Sequence, residues 1–391
     1  MGIMKFMKIF YIIITILFFS CKERKDELLK ENIHKLELTF NNLDSIVLNE
    51  NSSNFFMLSQ EIELDKAEYL IQINPFPTEP NKIFFNSIKN SDLSFVLDFD
   101  IEGPNGVGNM SEFFFHNFDS IFIFDKYSYR VSLVDSSGLI MRKYLLRDVS
   151  GTKPNENTVM TWLSNKSKPF LINNNLYIPT LPDVDPFYSD YSKENLLMEL
   201  DLKSGKFNLM LGYPTKYREG GYWGGSDHIL PSIAQSVNDN KLIISYPIED
   251  SIFSFDIASN VLSPIFLLKS KLFSEINPSS IFLSEREDLL KFQLGTDYYF
   301  SLLSDPYRNL YYRITNKKYS EESIQNILNR KAGNPNTKSL LIFDSKFKQI
   351  REFDLPEKFS SYMFFVFKSG VYVVIDNKFE DKIYLYDITS F

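Results

Sequence analysis

The chain has 391 residues and a net charge of −8, so it is long enough for one large domain or two ordinary ones. The acidic balance argues against a nucleic-acid partner. Aromatic residues make up 16% of the chain, with 37 Phe and 22 Tyr. Such residues suit the half-buried surfaces of β-sheets, and many Asn, Ser and Asp residues interrupt the short apolar runs. We therefore expect an all-β protein.

The N-terminal segment predicts export and a lipid anchor. Lys5 and Lys8 precede an apolar run at residues 9–19, which is too short to cross a bilayer but typical of a secretory signal peptide. The run ends at Ser20-Cys21, which resembles the lipobox of bacterial lipoproteins, and Cys21 is the single cysteine of the chain. A plain signal peptide with an incidental cysteine is the alternative. We predict a signal peptide at residues 1–20, lipidation of Cys21, and attachment to the outer membrane on its periplasmic or surface face.

A weakly repeated unit follows a charged tether that ends at residue 33. Each copy has an alternating strand that ends in an acidic or amide residue, a short polar turn, and a second alternating strand. The terminal residues of these strands are Asn86, Asp135, Asp201, Asp256, Asp344 and Asp387. An Asp carboxylate accepts hydrogen bonds from backbone N–H groups of the turn. A following Gly or Asn supplies the positive φ of a tight hairpin.

The spacing of these residues is typical of a β-propeller. Successive copies are 49, 66, 55, 88 and 43 residues apart, and a four-stranded blade needs roughly 40–50 residues. We predict a six-bladed propeller over residues 34–391. A seventh blade in the 88-residue gap is the alternative, but that gap also holds a predicted helix at residues 321–331. Ser320 is its expected N-cap and Gly333 its expected end.

The last unit predicts how the ring closes. The chain ends directly after the third strand of this unit, so a fourth strand is missing. Residues 36–40 alternate and precede the first complete unit. Because an unpaired strand edge favours aggregation, we expect this N-terminal strand to complete the last blade.

Two short motifs carry a family resemblance. Residues 102–108 read EGPNGVG and residues 127–131 read YSYRV. With Ser20-Cys21 and the chain length, they resemble the six-bladed propeller lipoproteins of Bacteroidota, specifically the DUF4221 group. The resemblance implies a propeller on a lipid anchor and implies no activity. The glycine run lacks the spacing of a phosphate-binding loop, so we interpret it as a connection between blades.

The loop at residues 212–228 is the main candidate for ligand binding. Two glycine pairs flank Tyr222-Trp223, and glycine permits close approach of a ligand to the backbone. Aromatic rings offer flat faces for sugars or other amphipathic ligands. The alternative is a glycine-rich surface loop whose rings pack on the propeller. The candidate residues of this loop are Tyr217, Arg218, Glu219, Tyr222, Trp223, Asp227 and His228.

Three further groups of residues extend the list of candidates. Tyr188 lies in an acidic loop near Asp183 and Asp185, whose carboxylates lack the spacing of a calcium loop, so we expect no metal and no cofactor. Arg130 and Arg313 stand beside tyrosines in predicted strands. They either line a central channel and bind an anion or are stacked structural arginines.

No catalytic motif is present in the sequence. We therefore predict a lipid-anchored binding or scaffold module of the cell envelope, whose ligand is a small molecule, a glycan or an envelope protein. The alternative is a propeller enzyme, a glycan hydrolase or lyase, that uses carboxylates or His228 in the central channel.

Overall fold

The computed structural model describes residues 43–48, 52–53, 58–74, 81–146, 160–181, 189–237, 239, 241–280, 283, 285–331, 336–375 and 382–387. The strands in chain order are β1 Leu43–Val47, β2 Ser59–Leu64, β3 Ala67–Gln72, β4 Lys82–Ser87, β5 Phe95–Asp98, β6 Glu112–Asn117, β7 Ser120–Asp125, β8 Arg130–Val134, β9 Ile140–Leu145, β10 Met160–Thr161, β11 Phe170–Ile172, β12 Asn175–Leu181, β13 Leu197–Asp201, β14 Phe207–Met210, β15 Ser232–Gln235, β16 Leu242–Ser245, β17 Ser251–Asp256, β18 Val261–Leu267, β19 Tyr298–Asp305, β20 Leu310–Asn316, β21 Lys338–Asp344, β22 Gln349–Leu355, β23 Phe359–Val366, β24 Val371–Ile375 and β25 Lys382–Asp387. The α-helices are α1 Thr215–Arg218, α2 Ser226–Ile229, α3 Arg286–Leu294 and α4 Glu321–Leu328, and short 3-10 turns lie at Ser91–Leu93, Lys126–Ser128 and Ser189–Lys193. None of these helices is long and apolar enough to span a membrane.

The strands form six antiparallel sheets among the described residues. The sheets are β2–β5, β6–β9, β10–β14, β15–β18, β19–β22, and β23–β25 with β1. Neighbours in sequence pair within each sheet, and β10 and β11 share the inner edge of β12. Sheets of this kind, linked one after another around an axis, form a propeller. The prediction of an all-β propeller is confirmed, but the described residues contain four α-helices rather than the one that was predicted.

The repeated unit corresponds to the third and fourth strands of a sheet. At the β8–β9 turn, Asp135 Oδ1 accepts from the backbone N–H of Ser137 at 2.9 Å and of Leu139 at 3.0 Å. These hydrogen bonds, with one from the Ser137 hydroxyl, lower the pKa of Asp135. Gly138 has a φ of 83°, which the turn requires. The β13–β14, β17–β18 and β21–β22 turns have the same arrangement around Asp201, Asp256 and Asp344.

The N-terminal strand completes the last sheet. β1 pairs with β25 in antiparallel register, Leu43 opposite Tyr386 and Ile46 opposite Ile383. The predicted strand at residues 36–40 lies outside the described residues, and Leu43–Val47 is the segment that pairs. Ile46 is fully buried against Leu70 and Phe365, between the first and last sheets. The first and last described strands therefore pair in one sheet.

Polar contacts link the inner strands of neighbouring sheets into a ring. The Gln60 side chain on β2 donates to the Phe115 carbonyl on β6 at 2.6 Å and accepts from its N–H at 3.0 Å. The Glu112 carboxylate, on β6, accepts from the Thr161 hydroxyl at 2.5 Å and from the Leu163 N–H at 3.1 Å. Burial raises the pKa of Glu112, and these donors oppose that effect.

Similar contacts join the fourth sheet to the fifth and the fifth to the sixth. The Ser232 hydroxyl on β15 accepts from the Leu302 N–H on β19 at 2.8 Å. The Ser361 hydroxyl on β23 donates to Asn316 Oδ1, at the end of β20, at 2.9 Å. Apolar clusters fill the spaces between these sheets, as with Ile243 and Leu341. Neighbouring sheets are thus held together by polar and apolar contacts.

The predicted helix is confirmed with a shorter C-terminus. Helix α4 begins after Ser320, whose hydroxyl accepts from the Ser323 N–H at 3.2 Å. It ends at Leu328 rather than residue 331, because Asn329 takes the C-cap position. Gly333 lies outside the described residues. Between Asp256 and Asp344, the described residues form no sheet in addition to the six given above.

Replacement of Ile46 by Ala tests the closure of the ring. The change removes buried methyl groups between the first and last sheets, so we expect the free energy of unfolding to fall by about 2–5 kcal/mol. Val47→Ala, on the exposed side of the same strand, is expected to change it by about 0.5 kcal/mol. Denaturant titration measures both, and equal effects of the two variants would contradict the closure.

Candidate functional site

A tight turn at residues 164–167 occupies the centre of the ring. Ser164 and Ser167 exchange backbone hydrogen bonds at 3.1 and 3.0 Å. The Asn165 side chain accepts from the Ser59 N–H at 2.7 Å and donates to the Tyr362 carbonyl at 3.1 Å. The Lys166 carbonyl accepts from the Ser232 hydroxyl at 2.6 Å. We call residues 164–167 the axial turn, because it joins inner strands of three other sheets.

A cleft of about 460 Å³ opens where the inner strands β19 and β23 begin. Helices α2 and α3 and the segment after β20 form its walls. Its volume falls within the range of small-molecule sites. Hydroxyl, amide and aromatic groups dominate its lining. The polar lining residues are Asp227, His228, Gln293, Thr296, Tyr298, Asn316, Lys317, Tyr319, Asn336, Lys338, Ser360, Ser361 and Tyr362.

His228 forms a buried part of the cleft wall. It is 0% exposed, and its ring packs edge-on against Tyr298 at 4.9 Å and Phe292 at 5.9 Å between ring centroids. Neither ring nitrogen has a hydrogen-bond partner among the described residues. Burial, with a smaller effect of the Lys166 charge, lowers the pKa of His228 from 6.5 to about 3. His228 is therefore neutral at pH 7 and offers one donor and one acceptor.

A chain of hydrogen bonds orients the polar groups of the cleft floor. Asn316 Nδ2 donates to the Tyr298 hydroxyl oxygen at 2.9 Å, and Asn316 Oδ1 accepts from Ser361. Burial raises the pKa of Tyr298 well above its ordinary value, so the hydroxyl keeps its proton. Because its oxygen already accepts from Asn316, that proton is a donor for a ligand.

Tyr362 and Asp227 are two solvent-accessible polar groups of the cleft. The Tyr362 ring packs edge-on against Phe300, with centroids 4.4 Å apart, and the side chain is half exposed. Asp227 is partly exposed and is the one carboxylate among the described lining residues. The cleft therefore has many groups for hydrogen bonding and a single carboxylate among its described lining residues.

The loop at residues 212–228 divides into buried anchors and a cleft wall. Tyr217 and Trp223 are each 1% exposed and belong to the apolar core beside Tyr246. Tyr217 also donates to the His228 carbonyl at 2.7 Å. The expectation that Trp223 offers a flat face to a ligand is corrected, because core packing covers its ring.

The other candidates of this loop lie apart from the cleft or at its wall. Arg218 and Glu219 are exposed at the end of α1, and Arg218 lines a separate shallow depression beside Glu249. Tyr222 is partly exposed and exchanges backbone hydrogen bonds with Ser279 at 3.0 and 2.8 Å. Only Asp227 and His228 of the predicted loop residues line the cleft. Tyr188 and Cys21 lie outside the described residues.

Arg313 is a structural arginine and does not bind a channel anion. It is 0% exposed and stacks on the Tyr299 ring at 3.3 Å. Its guanidinium makes five hydrogen bonds, so no donor remains for a ligand. The acceptors are Ser245 Oγ and the carbonyls of Tyr246, Glu249, Asp250 and Leu268.

Arg130 joins the two short motifs of the sequence. It forms an ion pair with Asp125 at 3.3 Å and donates to the Val107 carbonyl at 3.4 Å. Gly108, with a φ of 83°, approaches this pair so closely that a Cβ atom would lie 2.4 Å from both side chains. The glycine segment therefore connects β5 to β6 around Arg130, as predicted.

Sequence reasoning missed Tyr298, Asn316 and Tyr362. Tyr298 begins a strand rich in aromatic residues. This composition predicts a strand, but it does not predict which side chains of the strand face a cavity. Asn316 and Tyr362 come from different sheets, and only the ring brings them together.

Comparisons with known proteins identify the fold. A family model described as "Domain of unknown function (DUF4221)" matches residues 27–354. The structure of a DUF4221 family member from Bacteroides vulgatus is similar, with a TM-score of 0.74 and 18% identity, over 90% of this chain and 97% of that one. A candidate exported protein from Bacteroides fragilis has a TM-score of 0.50 and 11% identity, over 88% of this chain and 94% of that one. No match was found among curated proteins.

The neutral, buried His228 predicts a specific loss of stability in acid. Its folded pKa of about 3 lies below the ordinary 6.5, so the unfolded chain takes up a proton first as the pH falls. This contribution to stability is present above pH 6.5 and is lost progressively below it. We expect His228 to account for about 2 kcal/mol of the stability lost between pH 7 and pH 5.

Urea unfolding of the His228→Gln variant at both pH values tests this. The difference between the two free energies of unfolding should shrink by that amount, whatever the variant's stability at pH 7. His116→Gln, at an exposed position, is the matched control and should keep the parent's difference. If His228→Gln kept the parent's difference between pH 7 and pH 5, the folded protein would be protonating His228 as readily as the unfolded chain does.

Proposed function

Because the chain belongs to the DUF4221 family of propeller domains, we propose that it is a lipid-anchored binding protein of the cell envelope, whose cleft takes a small polyhydroxylated ligand such as an oligosaccharide. The observation that carries the proposal is the convergence of Tyr298, Asn316 and Tyr362 with His228 in one cleft. Hydroxyl and amide groups match the alternating donors and acceptors of a sugar, and tyrosine rings match its apolar faces.

We propose that the propeller has six blades, one for each of the six sheets of the described residues. Two observations support this count. In every sheet, the third strand lies at a position that the sequence repeat marks. Polar side-chain contacts between neighbouring sheets also run from the first sheet to the last. The N-terminal strand β1 then supplies the fourth strand of the sixth blade.

The proposal of a lipid anchor is based on the sequence alone. An N-terminal apolar run followed by the single cysteine is typical of a lipoprotein precursor. The likeness to a candidate exported protein is consistent with export. We propose that lipid on Cys21 holds the propeller at the outer membrane, with the charged residues 22–32 as a tether.

Binding is a better explanation of the cleft than glycan hydrolysis. Hydrolysis by the common mechanisms uses two carboxylates that flank the scissile bond, and Asp227 is the one carboxylate among the described lining residues. His228 is a poor general base at neutral pH, because a base with a pKa of about 3 is far from the optimum. The cleft therefore favours the binding function over the enzyme.

Titration with neutral trisaccharides tests the proposed site. The purified full chain in mild detergent is titrated calorimetrically with cellotriose, xylotriose, maltotriose and chitotriose. We expect saturable binding of at least one of them. Tyr362→Phe should weaken that binding about fivefold, because one hydrogen bond worth about 1 kcal/mol is lost while the ring stays.

Tyr127→Phe is the matched control for this experiment. Tyr127 is 74% exposed, lies in the 3-10 turn between β7 and β8, and is not part of the cleft lining. It should leave the affinity unchanged. Equal effects of the two variants, or no binding of any trisaccharide, would argue against the cleft as a sugar site. Release of shorter sugars that Asp227→Asn abolishes would instead favour the enzyme.

Replacement of Cys21 by Ser tests the anchor independently. The wild-type protein should incorporate labelled palmitate and sediment with membranes, because the acyl chains partition into the bilayer. Cys21→Ser should lose the label and appear in the soluble fraction. Labelling that persists in Cys21→Ser would refute the assignment.

A further inference from the structure

The outermost strand of the fourth sheet, β18, exposes an apolar surface. Val261, Ile265, Phe266 and Leu267 are each between 37% and 67% exposed. The strand has seven residues and none of them is charged. The outermost strands of the second and fifth sheets, β9 and β22, each carry charged side chains. A contiguous exposed apolar surface of this kind marks a site of interaction with another molecule.

The backbone of β18 is protected against pairing with another strand. Pro264 has no N–H group to donate. The register between β17 and β18 also shifts at Ile265, which has no paired residue in β17. A proline and a shift of register both interrupt the hydrogen bonds that an edge strand offers. We therefore expect a partner to contact the side chains of β18 rather than extend the sheet by a full strand.

A groove opens beside the first half of β18. It is the shallow depression that Arg218 lines, and its volume is about 690 Å³. Strands β17 and β18, the segment after β14 and helix α1 form its walls. We call this space the side groove. Its aromatic and apolar lining residues include Tyr213, Phe253, Phe255, Val261, Leu262 and Pro264.

Arg218 places a guanidinium at the side groove without a matching carboxylate. A Cβ atom added at Gly212 would lie 2.8 Å from Arg218 Nη2. Gly212 and Arg218 both line the groove, so the guanidinium borders it. Among the described residues, Arg218 forms no ion pair. The planar guanidinium has donors that match the two oxygens of a carboxylate.

The other charges of the side groove leave a positive excess. Its described lining has two cations, Lys193 and Arg218, and one carboxylate, Glu249. Burial raises the pKa of Glu249, and the nearby charge of Lys216 opposes this effect. The one carboxylate therefore has a cation of its own outside the lining, and the groove favours an acidic partner.

We propose that β18 and the side groove form a docking surface for an extended segment of a partner protein, in which acidic residues adjoin apolar ones. A carboxylate of the segment accepts hydrogen bonds from Arg218, and its apolar side chains cover Phe266 and Leu267. A lipid surface is a less suitable partner, since surfaces that bind anionic lipids carry clusters of Lys and Arg. No described residue lines both the side groove and the cleft, so this surface is separate from the proposed sugar site.

Fluorescence anisotropy with three labelled hexapeptides tests the surface. The charged probe is Leu-Val-Asp-Glu-Val-Leu, whose residue types are ordered alike in both chain directions. Leu-Val-Asn-Gln-Val-Leu lacks the charge, and Ser-Thr-Asp-Glu-Thr-Ser lacks the apolar side chains. The protein is the full chain with Cys21→Ser, so that no detergent competes for the apolar surface.

We expect saturable binding of the charged probe and about fivefold weaker binding of each of the other two, because each lacks one of the two interactions. Equal affinities for the charged and uncharged probes would overturn the role of the cation. Equal affinities for the charged probe and its Ser-Thr counterpart would overturn the role of the apolar strand. The absence of saturable binding of the charged probe would overturn the proposal.

Variants then locate the surface. Arg218→Gln should weaken binding of the charged probe about fivefold and leave that of the uncharged probe unchanged. Phe266→Ser should weaken binding of both. Both side chains are exposed, so the urea midpoints should equal that of the parent. Lys89→Gln, at an exposed position between β4 and β5, removes the same charge elsewhere and should leave all affinities unchanged.

Two results would overturn the proposal at this stage. One is undiminished binding of the charged probe by both Arg218→Gln and Phe266→Ser. The other is binding of the Cys21→Ser chain to phosphatidylglycerol vesicles that Phe266→Ser abolishes, which would assign the strand to a membrane surface.

Discussion

Closure of the ring is the constraint on which the rest of the structure depends. Each sheet buries apolar side chains against two neighbours, so a gap at any one interface would expose core residues of two sheets. The pairing of β1 with β25 prevents such a gap between the last sheet and the first. The inner strands are also joined by side-chain hydrogen bonds, such as those of Gln60 with Phe115 and Ser232 with Leu302. These contacts hold the inner strands in fixed positions and so define the cleft.

The buried polar groups of this ring are of two kinds. Arg313 and Glu112 have their donors or acceptors matched by neighbouring sheets. Such groups hold the ring together, because removal of either partner would leave a buried polar group unsatisfied. His228 is buried, but the described residues offer its two ring nitrogens no hydrogen bond. It borders the cleft. The same physical cost that makes Arg313 structural makes His228 the best indicator of a binding site.

The axial turn supports the cleft from within the ring. Asn165 donates to the Tyr362 carbonyl at the cleft. The ammonium of the adjacent Lys166 lies over the Phe300 ring, and the charges of Lys166 and Asp227 influence each other, as the pKa of Lys166 shows. The proposed site therefore depends on a turn that also contacts Ser59 and Ser232 of two further sheets.

The sequence by itself determined the repeat, the strand that carries each Asp, the turn chemistry and the N-cap of α4, because these depend on residues that are close in the chain. It also indicated that an N-terminal strand completes the last sheet, although the segment that pairs is Leu43–Val47 rather than residues 36–40, which the structure does not describe. Asp227 and His228 of the cleft were candidates from the sequence, but the rest of the cleft lining was decided by the tertiary structure. Trp223 looked like a ligand platform in sequence and is a core residue, whereas Tyr298, Asn316 and Tyr362 carried no signal. A strand's alternation shows that it has two faces, but which residues meet across a cavity depends on how the sheets are arranged around the axis.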